Sequence, residues 1–220
     1  MSAPCKGEWY PQLHRREWLA DLIVHGIGLV LGAVGCALLL ANVSSVESPR
    51  IAVGLAIYSV GLMSMLFCST LYNANRNPAI AHLFQRLDLA AIFVMIAGSY
   101  TPFMLSSVHE PIAWVVLAAV WAVAFLGVAL NLIARWNAPR VYIGLYLLLG
   151  WAVVVVLDRL VREMSPEGVF FLAAGGVLYT VGVAFHVFKR LPFNSAIWHG
   201  FVVAGSACHF SAIFIDVVSA

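Results

Sequence analysis

The sequence predicts an all-α integral membrane protein, a bundle of seven transmembrane helices with its N-terminus in the cytoplasm and its C-terminus outside. Three observations carry that prediction. Of the 220 residues 63% are hydrophobic and 10% charged, with a mean hydropathy of +0.95, whereas soluble domains are roughly half apolar and about a quarter charged. The apolar residues fall into seven runs, most of them near the ~20 residues a helix needs to cross a hydrocarbon core. The runs lack strand-like alternation, and lipid then leaves only helices to satisfy their backbone groups.

In chain order, residues 1–18 form a polar segment of mixed charge, expected in the cytoplasm. Span 1 covers about 19–42 and is too long, and lacks the small-residue cleavage site, for a signal peptide. Its Gly28, Gly32 and Gly35 form a small-residue face, better suited to packing inside the bundle than to dimerisation. Span 2 covers about 51–72, after Pro49 and Arg50, and span 3 about 87–108, where Pro102 should kink the helix. Span 4 runs over about 112–134, and span 5, the shortest, over about 141–157 between Arg140 and Asp158. Spans 6 and 7 cover about 168–188 and 195–218, so that 19–218 form one membrane domain.

The basic residues give the orientation. Lys6, Arg15, Arg16, Arg76, Arg86, Arg135, Arg140, Lys189 and Arg190 flank one side, against Arg50, Arg159 and Arg162 on the other, and the richer side faces the cytoplasm. With a net charge of only +2 spread through loops, the chain has no basic patch for nucleic acid. Its four cysteines form no CxxC pair and imply no disulfide framework.

Polar residues within the spans gather toward the cytoplasmic side. Asp21 and His25 lie early in span 1, Ser69 and Asn73 end span 2, Asp88 opens span 3, and Ser195 and His199 open span 7. Each i,i+4 pair shares a helix face. An ionisable side chain at the centre of a span costs about 2.5–3.5 kcal/mol, so the arrangement expected is one hydrated pocket shared by these seven residues. His209 lies about 15 Å along the helix from His199, too far to share a metal ion with it. It reads as a histidine hydrogen-bonded between helices. His82 reads as a solvated loop residue, and Trp18 as an interfacial anchor.

The stretches EWLADLIVHGIG (17–28), CSTLYN (68–73), RLDLAAIFVMIAGSYTPF (86–103) and KRLPFNSAIWHGFVVAGSACHF (189–210) resemble the bacterial hemolysin III proteins. These form the prokaryotic branch of the progestin and adipoQ receptor superfamily, which groups with alkaline ceramidases. The resemblance covers all seven spans. It implies a seven-helix bundle in the bacterial inner membrane and a zinc ion near the cytoplasmic side. The ligands so implied are the histidine ending an S-x-x-x-H motif in the second helix and both histidines of an H-x-x-x-H motif in the seventh. An aspartate at the start of the third helix would orient a water.

Carried onto this chain, Ser69 is the motif serine, Asp88 the aspartate and candidate catalytic residue, and His199 the second histidine of the seventh helix. The remaining two ligand positions are Asn73 and Ser195, which bind zinc weakly compared with imidazole. A His25, Asp21 and His199 set could in principle hold a metal; Cys68 should point to another face than Asn73. The expectation is a metal-free hydrogen-bonded pocket with no cofactor, zinc remaining the possible one. The functional expectation is a non-catalytic lipid or proton sensor in membrane homeostasis, with membrane lipids as partners and a lipid as ligand. The alternative is a zinc-dependent lipid-amide hydrolase, and the resemblance also implies cytolysis.

Overall fold

The computed structural model describes residues 15–43, 48–106, 111–133, 139–188 and 190–219. Lys6, Arg135 and Lys189, and most of the segment 1–18, lie outside them. The described residues are helical and contain no strand. Seven helices are long and apolar enough to cross a membrane: Arg15–Ala41, Pro49–Ala74, Pro78–Ser106, Pro111–Leu132, Arg140–Glu163, Pro166–Val187 and Asn194–Val218, called spans 1 to 7.

Proline sets many of the starts. The helices at Pro49, Pro78, Pro111, Pro139 and Pro166 each open on one, where the fixed φ suits a first turn and the missing N–H had no partner to lose. Span 3 begins at Pro78, nine residues before the boundary at 87 read from hydropathy. Polar His82, Gln85 and Arg86 lower the hydropathy there without stopping the helix. Asp88 therefore lies in the third turn of span 3 instead of opening it, and His82 is on a helix instead of in a loop.

Span 5 runs to Glu163, six residues past the sequence boundary, because Asp158, Arg159, Arg162 and Glu163 are charged yet helical, and it is not one continuous α-helix. An α-helix over Pro139–Trp151 tightens into a 3-10 turn over Ala152–Val156 and resumes as α-helix over Leu157–Glu163. The turn is a run of four valines, whose branched Cβ atoms crowd an α-helix. Tyr100 of span 3 serves the backbone groups released there. Its hydroxyl oxygen lies 2.7 Å from Leu149 O and 3.0 Å from Gly150 O, and accepts the N–H of Val153 at 2.7 Å.

Spans 1, 2 and 3 pack side by side, span 4 lies against span 3, span 6 against span 7, and span 7 closes back on span 1. Small residues make these approaches possible. A Cβ on Gly28 would sit 2.9 Å from Val203 of span 7, and one on Gly35 would sit 3.1 Å from Phe210. Gly32 faces Leu66 of span 2. The glycine face of span 1 is thus spent on neighbours within the chain. Gly54, Gly61 and Gly98 bring spans 2 and 3 into backbone contact, with Pro102 buried against Gly54.

At the end of the bundle away from the start of span 1, Asp216 binds span 7 to span 6. Its Oδ1 accepts the N–H of Ser165 at 2.8 Å, at the N-terminus of span 6, where the helix dipole favours an anion. His209 hydrogen-bonds the Leu172 backbone of span 6, and its ring edge packs against Gly175.

Candidate functional site: a polar cluster at one end of an apolar cavity

Closure of the bundle between spans 1 and 7 brings together residues that are far apart in the chain. Asp21 is 3% exposed and His25 5%, one turn apart on the inner face of span 1. The His25 Nδ1 lies 2.8 Å from the Asp21 carbonyl oxygen. A carbonyl only accepts, so the proton is on Nδ1, and Nε2 of the neutral ring is an acceptor. Ser69 Oγ stands 3.2 Å from that Nε2 and Asn73 Nδ2 3.4 Å from it. The Asn73 amide also donates to Ser69 O at 2.9 Å, so its donors are turned into the protein.

The Asp21 carboxylate is occupied by span 7. His199 Nδ1 donates to Asp21 Oδ1 at 2.6 Å, a short separation typical of charge-assisted pairs. The His25 and His199 rings meet edge to face with centroids 4.2 Å apart. Asp21 thus orients both imidazoles, His25 through its carbonyl and His199 through its carboxylate, and each ring turns Nε2 away from it. Asp88 joins from span 3 through a hydrogen bond with Ser69. The one Ser69 proton has two acceptors, the Asp88 carboxylate and His25 Nε2.

Trp18 and Arg76 close this end. The Trp18 indole N–H donates to Asn73 O at 3.3 Å, and the Arg76 guanidinium lies 4.0 Å above the Trp18 ring. Ser195 lines the same cavity as His199, but no hydrogen bond between Ser195 and the cluster is found among the described residues. Cys68 packs against the core and is absent from the cluster.

The cluster forms one end of a cavity of about 1160 Å³. Span 3 supplies a continuous wall from Asp88 through Ile92, Met95, Ser99 and Phe103, a 3–4 residue spacing that keeps one helix face on the cavity. Spans 5, 6 and 7 supply the facing side, largely apolar. Hydroxyls on the wall spend their protons on backbone carbonyls: Tyr146 on Leu89 O at 2.8 Å, Ser99 on Ile96 O at 2.8 Å and Thr180 on Gly176 O at 2.7 Å. His82, Gln85 and His186 also line the cavity; the sequence places His186, which closes span 6, at the same end as the polar cluster, and gives His82 and Gln85 no role in it. The signal was available for two of them, because His82, Gln85 and Asp88 follow one another at i,i+3.

The three positions that the family resemblance makes zinc ligands do not fit a zinc ion. Asn73 directs its N–H groups at neighbouring acceptors, Ser195 is a hydroxyl, and only His199 is a ligand zinc prefers. A different trio, Asp21, His25 and His199, offers one ligand atom each within 4.8 Å of one another. Its Asp21–His199 pair stands at hydrogen-bonding distance, 2.6 Å, closer than the about 3.3 Å separating two ligands of a tetrahedral zinc.

Comparison with known proteins gives a consistent result. A family model described as "Haemolysin-III related" matches residues 15–210. Hemolysin-3 of Bacillus cereus is 34% identical over 203 residues, covering 92% of this chain and 93% of that protein. The Hemolysin-3 homolog of Bacillus subtilis is 31% identical, covering 92% and 95%. The human monocyte to macrophage differentiation factor is 29% identical over 220 residues, covering 96% and 88%.

Proposed function

Because this chain belongs to the haemolysin-III-related family and is a multi-pass membrane protein, we propose that it is a non-catalytic lipid-binding protein of the bacterial cytoplasmic membrane. The apolar cavity takes the chain of a lipid and the polar cluster takes its head, and occupancy serves membrane homeostasis. The N-terminus and the cluster then face the cytoplasm. The observation that carries this reading is the continuity of the cavity: about 1160 Å³ of mainly apolar wall ends on His25, Ser69, Asn73, Asp88 and His199. A wall of that kind with a few convergent polar groups is the usual form of a site for an amphiphilic ligand. Cytolysis, which the relatives' name suggests, would be an indirect effect. The exposed faces of the spans carry Ile23, Val30, Val60, Phe125 and Phe170, side chains suited to lipid and not to a water-filled pore.

Gly176 gives the test. It lines the cavity, and a Cβ there would meet nothing within 4 Å, so Gly176→Trp starts from open space and adds bulk at the cavity wall. Lipid extracted from the purified protein and quantified by mass spectrometry should show one class enriched over the bulk membrane and lost in the variant. Equal retention in both proteins would refute the reading.

A second reading, hydrolysis of an amide-linked lipid, is favoured by the Asp21, His25 and His199 ligand set with Asp88 close by. Metal analysis and a lipid-amide assay with and without chelator separate the two. Cleavage abolished by chelation would put hydrolysis first.

A further inference from the structure

Resting on the lipid-binding reading, we infer that the cavity has a second polar point, His209, which receives a hydroxyl carried on the chain of the ligand. His209 lies outside the polar cluster and outside the Asp21, His25 and His199 ligand set. Its Nε2 is buried and, among the described residues, has no hydrogen-bond partner. The bond that His209 makes to the Leu172 backbone therefore comes from Nδ1. Leu172 lies inside the helix Pro166–Val187, where its N–H bonds the preceding turn. Nδ1 thus donates to the Leu172 carbonyl, and Nε2 of the neutral ring is an acceptor. A buried acceptor left unpaired is costly.

The surroundings make this acceptor part of the cavity. His209 lines it together with Ala173, Gly176, Tyr179 and Val202. On the span 6 side only a glycine stands beside the nitrogen, since a Cβ on Gly175 would sit 2.6 Å from Nε2. The Tyr179 ring meets the imidazole edge to face with centroids 5.4 Å apart, and its hydroxyl pairs with Ser206 Oγ at 2.8 Å. That pair holds two protons and uses one between its members.

The place selects the group by its chemistry. A methylene chain offers Nε2 nothing, and a ketone or ether only accepts. A charged donor is costly within a span. A hydroxyl donates to Nε2 and keeps lone pairs for the remaining proton of the Tyr179–Ser206 pair. From His199 to His209 span 7 rises about 15 Å. An extended chain advances about 1.2 Å per bond, so with the head at the cluster the hydroxyl belongs near about the twelfth carbon.

The test uses the whole protein in nanodiscs of phosphatidylcholine, loaded in turn with octadecan-1-ol, 1,12-octadecanediol and 12-oxo-octadecan-1-ol and read by native mass spectrometry. The three share a neutral head and differ only along the chain. The Gly176→Trp protein sets the background partition. The diol should bind about three- to tenfold more tightly than either comparator, the range of a neutral hydrogen bond. His209→Asn, which keeps a donor near the Nδ1 position and removes Nε2, should abolish that preference. If His209→Asn does not fold, the order of the three ligands on the natural protein decides. A ketone that matches the diol overturns the inference, since polarity alone would then suffice, and so does a diol preference that survives His209→Asn. Equal binding of all three above background also overturns it and leaves the lipid-binding reading standing. If Gly176→Trp binds all three as well as the natural protein does, the lipid-binding reading falls, and the inference with it.

Discussion

His199 and Asp21 are 178 positions apart in the chain and meet at 2.6 Å between Nδ1 and Oδ1. That contact joins span 7 to span 1 and gives Asp21 control of two imidazoles at once. A double-mutant cycle with Asp21→Asn and His199→Gln, measured by reversible unfolding in detergent, should give a coupling of about 2 kcal/mol, as for hydrogen bonds to charged groups. A value near the ~0.6 kcal/mol average of interhelical hydrogen bonds in membranes would mean that the pair is neutral.

Tyr100 holds the broken ladder of span 5. Tyr100→Phe keeps the ring and removes the one group that serves both Val153 N and the carbonyls of Leu149 and Gly150. The expected loss is about 1–3 kcal/mol, the penalty for unsatisfied buried groups. Hydrogen exchange should rise at Val153 before it rises in span 3; unchanged protection there would show that the 3-10 turn needs no outside support.

At the far end of the bundle, the Asp216 carboxylate fills the space where a side chain on Gly168 would stand. Gly168→Ala should therefore lower thermal stability clearly, and Asp216→Asn should lower it by about 1 kcal/mol through the weakened helix N-terminus. Gly200→Ala, with nothing within 4 Å of the added carbon, is the matched control and should be neutral. Similar losses at Gly168 and Gly200 would remove Asp216 from the explanation.

Zinc binding should be recoverable in two steps. His199 already has its Nδ1–H fixed by a carboxylate, the usual support for a zinc-ligating histidine. Asn73→His combined with Ser195→His should gain a stoichiometric zinc by elemental analysis, and neither replacement alone should. Zinc held by either single variant would show that the missing ligands are not what prevents binding.

The orientation is open to labelling. In a cysteine-free background, Asn75→Cys at the exposed end of span 2 should react with an impermeant maleimide only from the cytoplasmic side. Ala41→Cys, exposed at the end of span 1, should react only from the outside. The reverse pattern would invert the bundle.

Much of this was legible in the chain. Seven spans follow from apolar runs because lipid admits no other way to satisfy so much backbone, and the i,i+4 spacing of Asp21 with His25 and of Ser69 with Asn73 puts each pair on one face. Hydropathy misplaced the start of span 3, since His82, Gln85 and Arg86 are polar yet helical. It also cut span 5 short, because Asp158, Arg159, Arg162 and Glu163 are charged yet helical. Sequence spacing sets which side chains share a helix face. Only the packing of span 1 against span 7 decided that Asp21 meets His199, and only the packing against spans 2 and 3 that His25 Nε2 finds Ser69 and Asn73 and that Asp88 lines a largely apolar cavity. The physical reason is that periodicity is local to each helix, whereas contacts between helices depend on small residues such as Gly28 and Gly35, whose partners lie far along the chain.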